Sequence, residues 1–435
     1  MRHGNVIPKD ASYYCRAEGK YYEEGEIMPN PQTGDIYRFG DYEYAYNLAN
    51  TNDMETDFDD DYWKLNEAQN GWGVKCTVLS QPSEMLSSIN GEPITCIDYA
   101  FHQNHIMTES PSIPDTVISA KYAYCECQSL IKAPQLPIVL ENMEGIFMGC
   151  VIMREYEGAK EETAWGDFSG YHIPEGVEDI DRAFCRNRSV TVLPDISKCN
   201  WLQKLQDTFS GMSSLKDISD FKFPENVKDL TFTWANCYNI QKLMEKFPEG
   251  IEVFDGTFMN NVKLEKLCQL PETAKNIIHI CHGCTNLKDI EKLPDEIEEM
   301  DWAFAYTAIE TPANAPKSIR SMDATYTHCY NLTDIPDFSE CNQLVHVDNM
   351  CQCCPSLVDI SHRMMPASID YYAATFSDCR NLESGPVIGN PDAVFEWAFH
   401  NTKVNVDSIS VADHLFDDEE EFNFETKIDN NDIVK

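Results

Sequence analysis

One short pattern recurs between Phe101 and Phe399, and its spacing constrains the fold more than any other feature of the chain. Its thirteen anchors are Phe101, Tyr124, Phe147, Phe184, Phe209, Trp234, Phe258, Cys281, Phe304, Tyr326, Cys351, Phe376 and Phe399. Successive anchors lie 22 to 25 residues apart, with one gap of 37. A unit this short encloses no core by itself, so it buries its apolar edge by stacking on the next unit. The spacing predicts a solenoid of about 13 turns, mainly β or α/β, with a parallel sheet along one face.

Apolar columns follow the anchors. Seven residues before each anchor stand Ile94, Val117, Leu140 and Val177, and four before stand Ile97, Met143, Ile180 and Leu205. Six after stand Leu130, Leu215, Leu264 and Leu287. These positions are expected to face inward. Prolines such as Pro134, Pro194, Pro271 and Pro336 punctuate the units, because proline cannot donate to a ladder. Three residues after the anchor the chain places Cys127, Cys150, Cys237, Cys284, Cys329, Cys354 and Cys379, or Asn104, Asn187 and Asn261. A small side chain able to hydrogen-bond backbone suits a buried turn there. With Cys281 and Cys351 as anchors, and Cys199 and Cys341 at a shared later position, packing accounts for eleven of the 18 cysteines.

Stretches such as Val177-Glu-Asp-Ile-Asp-Arg-Ala-Phe184 and Cys284-Thr-Asn-Leu287 resemble the BspA-like leucine-rich repeat family, over roughly residues 90–405. The resemblance implies a leucine-rich-repeat solenoid with a curved parallel sheet and a binding role. It also suggests a phage or gut-bacterial source.

Residues 1–88 break the pattern and read as a small β-rich capping module. Its expected strands are Tyr13-Tyr14, Tyr21-Tyr22, Ile36 to Phe39, Tyr42 to Tyr46 and Trp72 to Leu79, with a hairpin turn at Gly40-Asp41. The string from Gly34 to Tyr46, with Gly71-Trp72-Gly73, is similar to N-terminal modules of gut bacterial and bacteriophage proteins. The solenoid is expected over 89–405, with an insertion at 154–171 filling the long gap. Residues 406–435 read as an acidic tail around Asp417 to Glu421.

Charge narrows the function. The chain carries 73 acidic against 33 basic residues, a net charge of −40. Such a balance repels nucleic acid and anionic membranes and favours a protein partner with a basic surface. Spread over thirteen turns of about 4.8 Å, it approaches the linear charge density of a duplex. An acidic nucleic-acid mimic that inhibits a host defence nuclease, of anti-CRISPR or anti-restriction type, is therefore one alternative. A structural or receptor-binding part of a phage particle is another. Met1 to Tyr22 holds no apolar signal core, so a cytoplasmic setting is expected, in the bacterium or the infected host, with the phage particle as a variant.

Two candidate surfaces stand out. Three residues before the anchor lie Asp98, Glu144, Asp181, Asp255, Asp301, Asp323, Asp348 and Glu396. Strand alternation places this position on the outward sheet face, where like charges about 4.8 Å apart destabilise the sheet, and a stripe that costs stability suggests a use. The plainer reading is hydrogen bonding of these carboxylates to nearby backbone. The insertion supplies Tyr156, Glu161, Glu162, Trp165 and Phe168, a set suited to an interface.

Catalysis finds no footing. The chain lacks Gly-x-Ser-x-Gly, a phosphate-cradling glycine loop, His-Glu-x-x-His and a dinucleotide fingerprint. No cofactor is expected. Cys281-x-x-Cys284 and Cys351-x-x-Cys354 have zinc-like spacing, but both pairs occupy core positions, and no metal is expected either. The chain is expected to recognise a protein through its acidic face and inserted loop, without catalysis.

Overall fold

The computed structural model describes residues 92–405 and 409–412, a few positions just before them, and seven short strands nearer the N-terminus. Two compact units divide the chain, Met1–Val227 and Lys228–Lys435. Five anchors fall in the first and eight in the second.

In the first unit, Ser12–Cys15 pairs antiparallel with Lys20–Glu23. Ile36–Phe39 is the middle strand of a three-stranded antiparallel sheet, between Ile27–Pro29 and Cys76–Val78. The expected hairpin turn at Gly40-Asp41 lies outside the described residues. The expected strand Tyr42 to Tyr46 and the tail Asp417 to Glu421 lie outside the described residues.

Among the described residues the repeats contain no helix, and their strands run for two or three residues only. What replaces a long sheet is a column of tight turns at each anchor. The Ala100, His102 and Asn104 amides donate back to the Ile97, Tyr99 and Phe101 carbonyls, closing three overlapping four-residue turns. The alternate amides, of Tyr99, Phe101 and Gln103, donate to the Lys121, Ala123 and Cys125 carbonyls of the next coil, each at 2.8 Å. Every backbone donor of the segment is therefore satisfied, half within the coil and half between coils. The second unit repeats the arrangement, with His279, Cys281 and Gly283 donating to Asp301, Ala303 and Ala305.

The first and third of these turns carry a positive φ at their third residue, Tyr99 and Gln103. All thirteen anchors are flanked by left-handed residues two before and two after, from Tyr99 and Gln103 to Trp397 and Asn401. Side chains at these positions lean over the next coil. The Tyr122 ring covers Gly145, and the Phe232 ring covers Gly256. Glycine follows the aromatic because a Cβ on Gly145 would stand 2.3 Å from Tyr122 Cε1.

Two short parallel ladders run between most coils. One passes through the residue five before the anchor: Cys96, Ser119, Asn142 and Asp179 in the first unit, and Asp229, Val253, Asn276, Glu299, Ser321 and His346 in the second. The other lies after the anchor and includes Lys132–Ala133 on Glu155–Tyr156 and Lys266–Leu267 on Asp289–Ile290.

The core is the stack of anchors. Phe101 and Tyr124 lie 5.1 Å apart between ring centres, Trp234 and Phe258 5.8 Å, Phe304 and Tyr326 5.8 Å. Beside it runs a file of thiols. Cys127, Cys150, Cys284, Cys329, Cys354 and Cys379 each donate Sγ–H to the anchor carbonyl of the preceding coil, at 2.9 to 3.1 Å. Cysteine suits the site because it is a small hydrophobe with one weak donor. Burial pushes the Cys329 thiol up to about 11, so this group stays protonated near neutral pH.

Candidate functional site

The position three before the anchor is not on an outward strand face in most coils. It is the second residue of the first turn, and its carboxylate reaches across to the next coil. Asp98 Oδ1 accepts from Ser119 Oγ at 2.7 Å and from the Lys121 amide at 2.8 Å. Asp301 Oδ1 accepts likewise from Ser321 Oγ and the Asp323 amide. Asp323 takes the Asp348 amide at 2.7 Å, and Asp348 takes the Ala373 amide at 3.2 Å. Asp181 accepts from the Gln206 amide and pairs with Lys204. Elsewhere Asn142, Asp179, Asp229 and Asn276 supply the acceptor from within the coil, the last even though Asp255 stands in the preceding one. Five of the eight carboxylates, Asp98, Asp181, Asp301, Asp323 and Asp348, are thus backbone caps. Asp98 and Asp181 are buried, at 4% and 3% exposure, which removes them from the surface a partner touches.

The cost of like charges is visible all the same. Burial, with Asp301 and Asp348 nearby, raises the Asp323 carboxyl to about 6. Glu144 instead sits among cations, accepting from Tyr122 Oη at 2.8 Å with Lys121 and Arg182 each 3.6 Å away. Asp255 lies 3.8 Å from His279 Nδ1, and Glu396 is exposed and bonded by Tyr371 Oη.

The insertion divides in two. Gly166–Phe168 forms an additional rung, with the Gly166 amide on Arg154 O and the Phe168 amide on Val192 O. That rung turns Phe168 inward, where it meets Tyr156 and Tyr171 at about 5.5 Å. Tyr156 and Phe168 are core residues, contrary to the interface expected of them. Loop-like composition hid the strand alternation that buries them. Glu161, Glu162 and Trp165 remain outside, and the Arg154 guanidinium lies 4.6 Å over the Trp165 ring.

The feature not anticipated is a row of rings on the outer side of the turn column in the second unit. His279 stacks on Trp302 with 10° between planes. His282 lies 5.6 Å from Trp302 and 5.5 Å from Tyr306, and Tyr306 stacks on His328 at 4.5 Å. Tyr330 stands edge-on beyond them. Trp302, Tyr306 and Tyr330 are 36%, 39% and 57% exposed. Burial lowers His282 and His328 below the ordinary histidine value, so both are neutral near pH 7. These residues occupy the left-handed positions and their neighbours. Aligning those columns in the sequence brings His279 beside Trp302 and Tyr306 beside His328.

Cys281, Cys284, Cys351 and Cys354 are fully buried, whereas His279 and His282 lie with the outer rings. Among the described residues no three His, Cys, Asp or Glu side chains gather as a metal site, and no helix is long and apolar enough to cross a membrane.

Comparison with known proteins gives matches to the BspA type leucine rich repeat region over residues 206–333 and 251–383, in six copies. A leucine-rich repeat protein from Bacteroides ovatus is 17% identical, with 68% of this chain and 87% of that one covered, at a TM-score of 0.43. A leucine rich cell surface protein from Faecalibacterium prausnitzii is 15% identical, with 80% and 95% covered, at 0.36. A Treponema pallidum leucine-rich repeat protein is 21% identical, with 52% and 86% covered, at 0.31. No curated protein matches the chain.

Proposed function

Because residues 206–333 and 251–383 match the BspA type leucine rich repeat region, whose proteins generally recognise other proteins, we propose that this chain is a protein-recognition module of that family, without catalysis. Its partner presents a basic surface. The observation that carries this reading is the ring row of the second unit. Trp302, Tyr306 and Tyr330 offer exposed aromatic area beside Asp255, Asp301 and Asp323, within a chain of net charge −40. Aromatic anchors supply most of the energy of protein interfaces, and surrounding charge sets encounter rate and partner choice. Cationic side chains also bind aromatic faces, as Arg154 does on Trp165 within this chain. The exposed tip of the insertion, Glu161, Glu162 and Trp165, extends the recognition surface in the first unit.

A reducing compartment belongs to the same proposal. It is supported by the sixteen described cysteines, which are all free thiols, most of them buried.

The test is capture of a basic partner at low and high salt. Binding should fall at high salt and be lost in a Trp302→Ala/Tyr306→Ala variant. It should survive Asp301→Asn, which keeps an acceptor for the Asp323 amide. Capture lost in Asp301→Asn and indifferent to the ring variant would return the site to the carboxylates.

A further inference from the structure

The first unit contains a joint where the ladders lapse while the turn column continues. Arg182, Phe184 and Arg186 donate to Gln206, Thr208 and Ser210, so the two coils are bonded at the turns. Among the described residues, Asp179 is bridged to Asn142 but not onward, and Val192 is bridged to Asp167 but not onward. On the Val192 side the coils enclose a cavity of about 490 Å³.

The edge bordering that cavity carries the pair of groups that a parallel strand requires. One side of Val192 is already paired with the insertion: its amide donates to Gly166 O, and its carbonyl accepts from the Phe168 amide. The other side presents Thr191 C=O and Leu193 N–H, and among the described residues neither has a hydrogen-bond partner. The equivalent carbonyl two coils earlier, Ile131 C=O, receives the Glu155 amide of the neighbouring rung. The cavity therefore opens where a rung is missing, beside an edge that accepts an extended segment on its opposite side. Its floor is apolar, with Pro194 and Ile218 buried and Phe221 half-buried. Its rim holds exposed Asp195, Asp217 and Asp220 against a single cation, Lys222.

We propose that this cavity binds an extended, basic peptide segment of a partner protein, which adds a rung to the Thr191–Leu193 edge. Backbone pairing supplies the orientation, alternate apolar side chains enter the cavity over Ile218, and the intervening cations face the aspartates of the rim. A strand fits these observations better than a compact ligand, because the free carbonyl and amide flank one residue at ladder spacing. An acidic peptide is disfavoured by the same aspartates. Asp195 stays ionised, since hydrogen bonds from Ser197 hold its carboxyl below the usual range. The site is independent of the ring row in the second unit.

The experiment uses the full chain and a short acetylated peptide of alternating Lys and Val. Two control peptides replace Lys by Glu, or Val by Pro to remove donors. Calorimetry reads affinity, and hydrogen exchange reads the Leu193 amide. The Lys/Val peptide should bind and slow exchange at Leu193 by about tenfold or more, and both controls should fail. Ser169→Trp, at an exposed lining position, and Asp220→Lys should each weaken binding about tenfold or more, with unchanged circular dichroism. Trp302→Ala should leave it intact. Equal binding of the Pro peptide, indifference to both cavity variants, or no binding of the Lys/Val peptide overturns the proposal. If Lys/Val binding instead fails only in Trp302→Ala, this site is lost while the ring-row reading stands.

Discussion

Replacing Gly145 by Ala tests the turn column at its tightest point. Gly145 holds a φ of +57° two residues before Phe147, and a Cβ there would meet Tyr122 Cε1 at 2.3 Å and Cδ1 at 2.4 Å. The ring has little freedom to withdraw. Tyr99 stacks on it at 5.3 Å, and Glu144 accepts its hydroxyl at 2.8 Å. The left-handed backbone costs Ala about 1 kcal/mol. Other coils tolerate that strain with ordinary residues at the same position, such as Arg182 and Trp302. The overlap adds about 1–3 kcal/mol of overpacking. Gly145→Ala should therefore destabilise by about 2–4 kcal/mol, read as a shift in the urea midpoint followed by far-UV circular dichroism. Gly158→Ala is the control, because Gly158 also has positive φ but nothing within 4 Å of a Cβ. It should lose only about 1 kcal/mol. In a double-mutant cycle with Tyr122→Ala the overlap vanishes, so the two losses should sum to more than the double variant shows. Equal losses at Gly145 and Gly158 would refute the idea that rings of one coil roof the glycines of the next.

Further outcomes follow from the core and the carboxylates. Cys329→Ala removes a buried thiol and its bond to Phe304 O, and should cost about 1–3 kcal/mol in the same assay. A maleimide under native conditions should label half-exposed Cys353 first among the described cysteines, since the other fifteen are buried. Asp323 has a folded pKa of about 6, above its unfolded value, so the fold favours its protonated form. Its contribution to stability is greatest at low pH and is lost as pH rises through about 4 to 6. Asp323→Asn keeps an acceptor for the Asp348 amide, so it should stabilise the protein near neutral pH and lose that advantage below about pH 4, as midpoints across pH will show. Phe168→Ala should cost about 3–5 kcal/mol, whereas Trp165→Ala should change stability by about 0.5 kcal/mol or less, because only Phe168 is inside.

The anchors, the inward columns and the cysteine file were legible in the sequence because each recurs at fixed spacing and each is apolar or nearly so. The geometry at the anchor was not. Period-two alternation suited a strand, and nothing local announced left-handed backbone at Tyr122, Phe232 or Trp302, residue types that seldom adopt it. That error placed the aspartates outside a sheet when five of the six cap amides of the neighbouring coil. It also hid the ring row, whose members lie about one repeat apart in sequence and meet only when the turns stack. The insertion was legible as an interruption but not as a rung, since Phe168 pairs with Val192 across residues that carry no strand signal.

The most direct test of the recognition claim is hydroxyl-radical footprinting of the full chain with and without its captured basic partner. The method reports the side-chain exposure of Trp, Tyr and His. The account predicts that Trp302, Tyr306 and Tyr330 lose reactivity in the complex and regain it when salt releases the partner. Undiminished reactivity of all three in a saturated complex would contradict it.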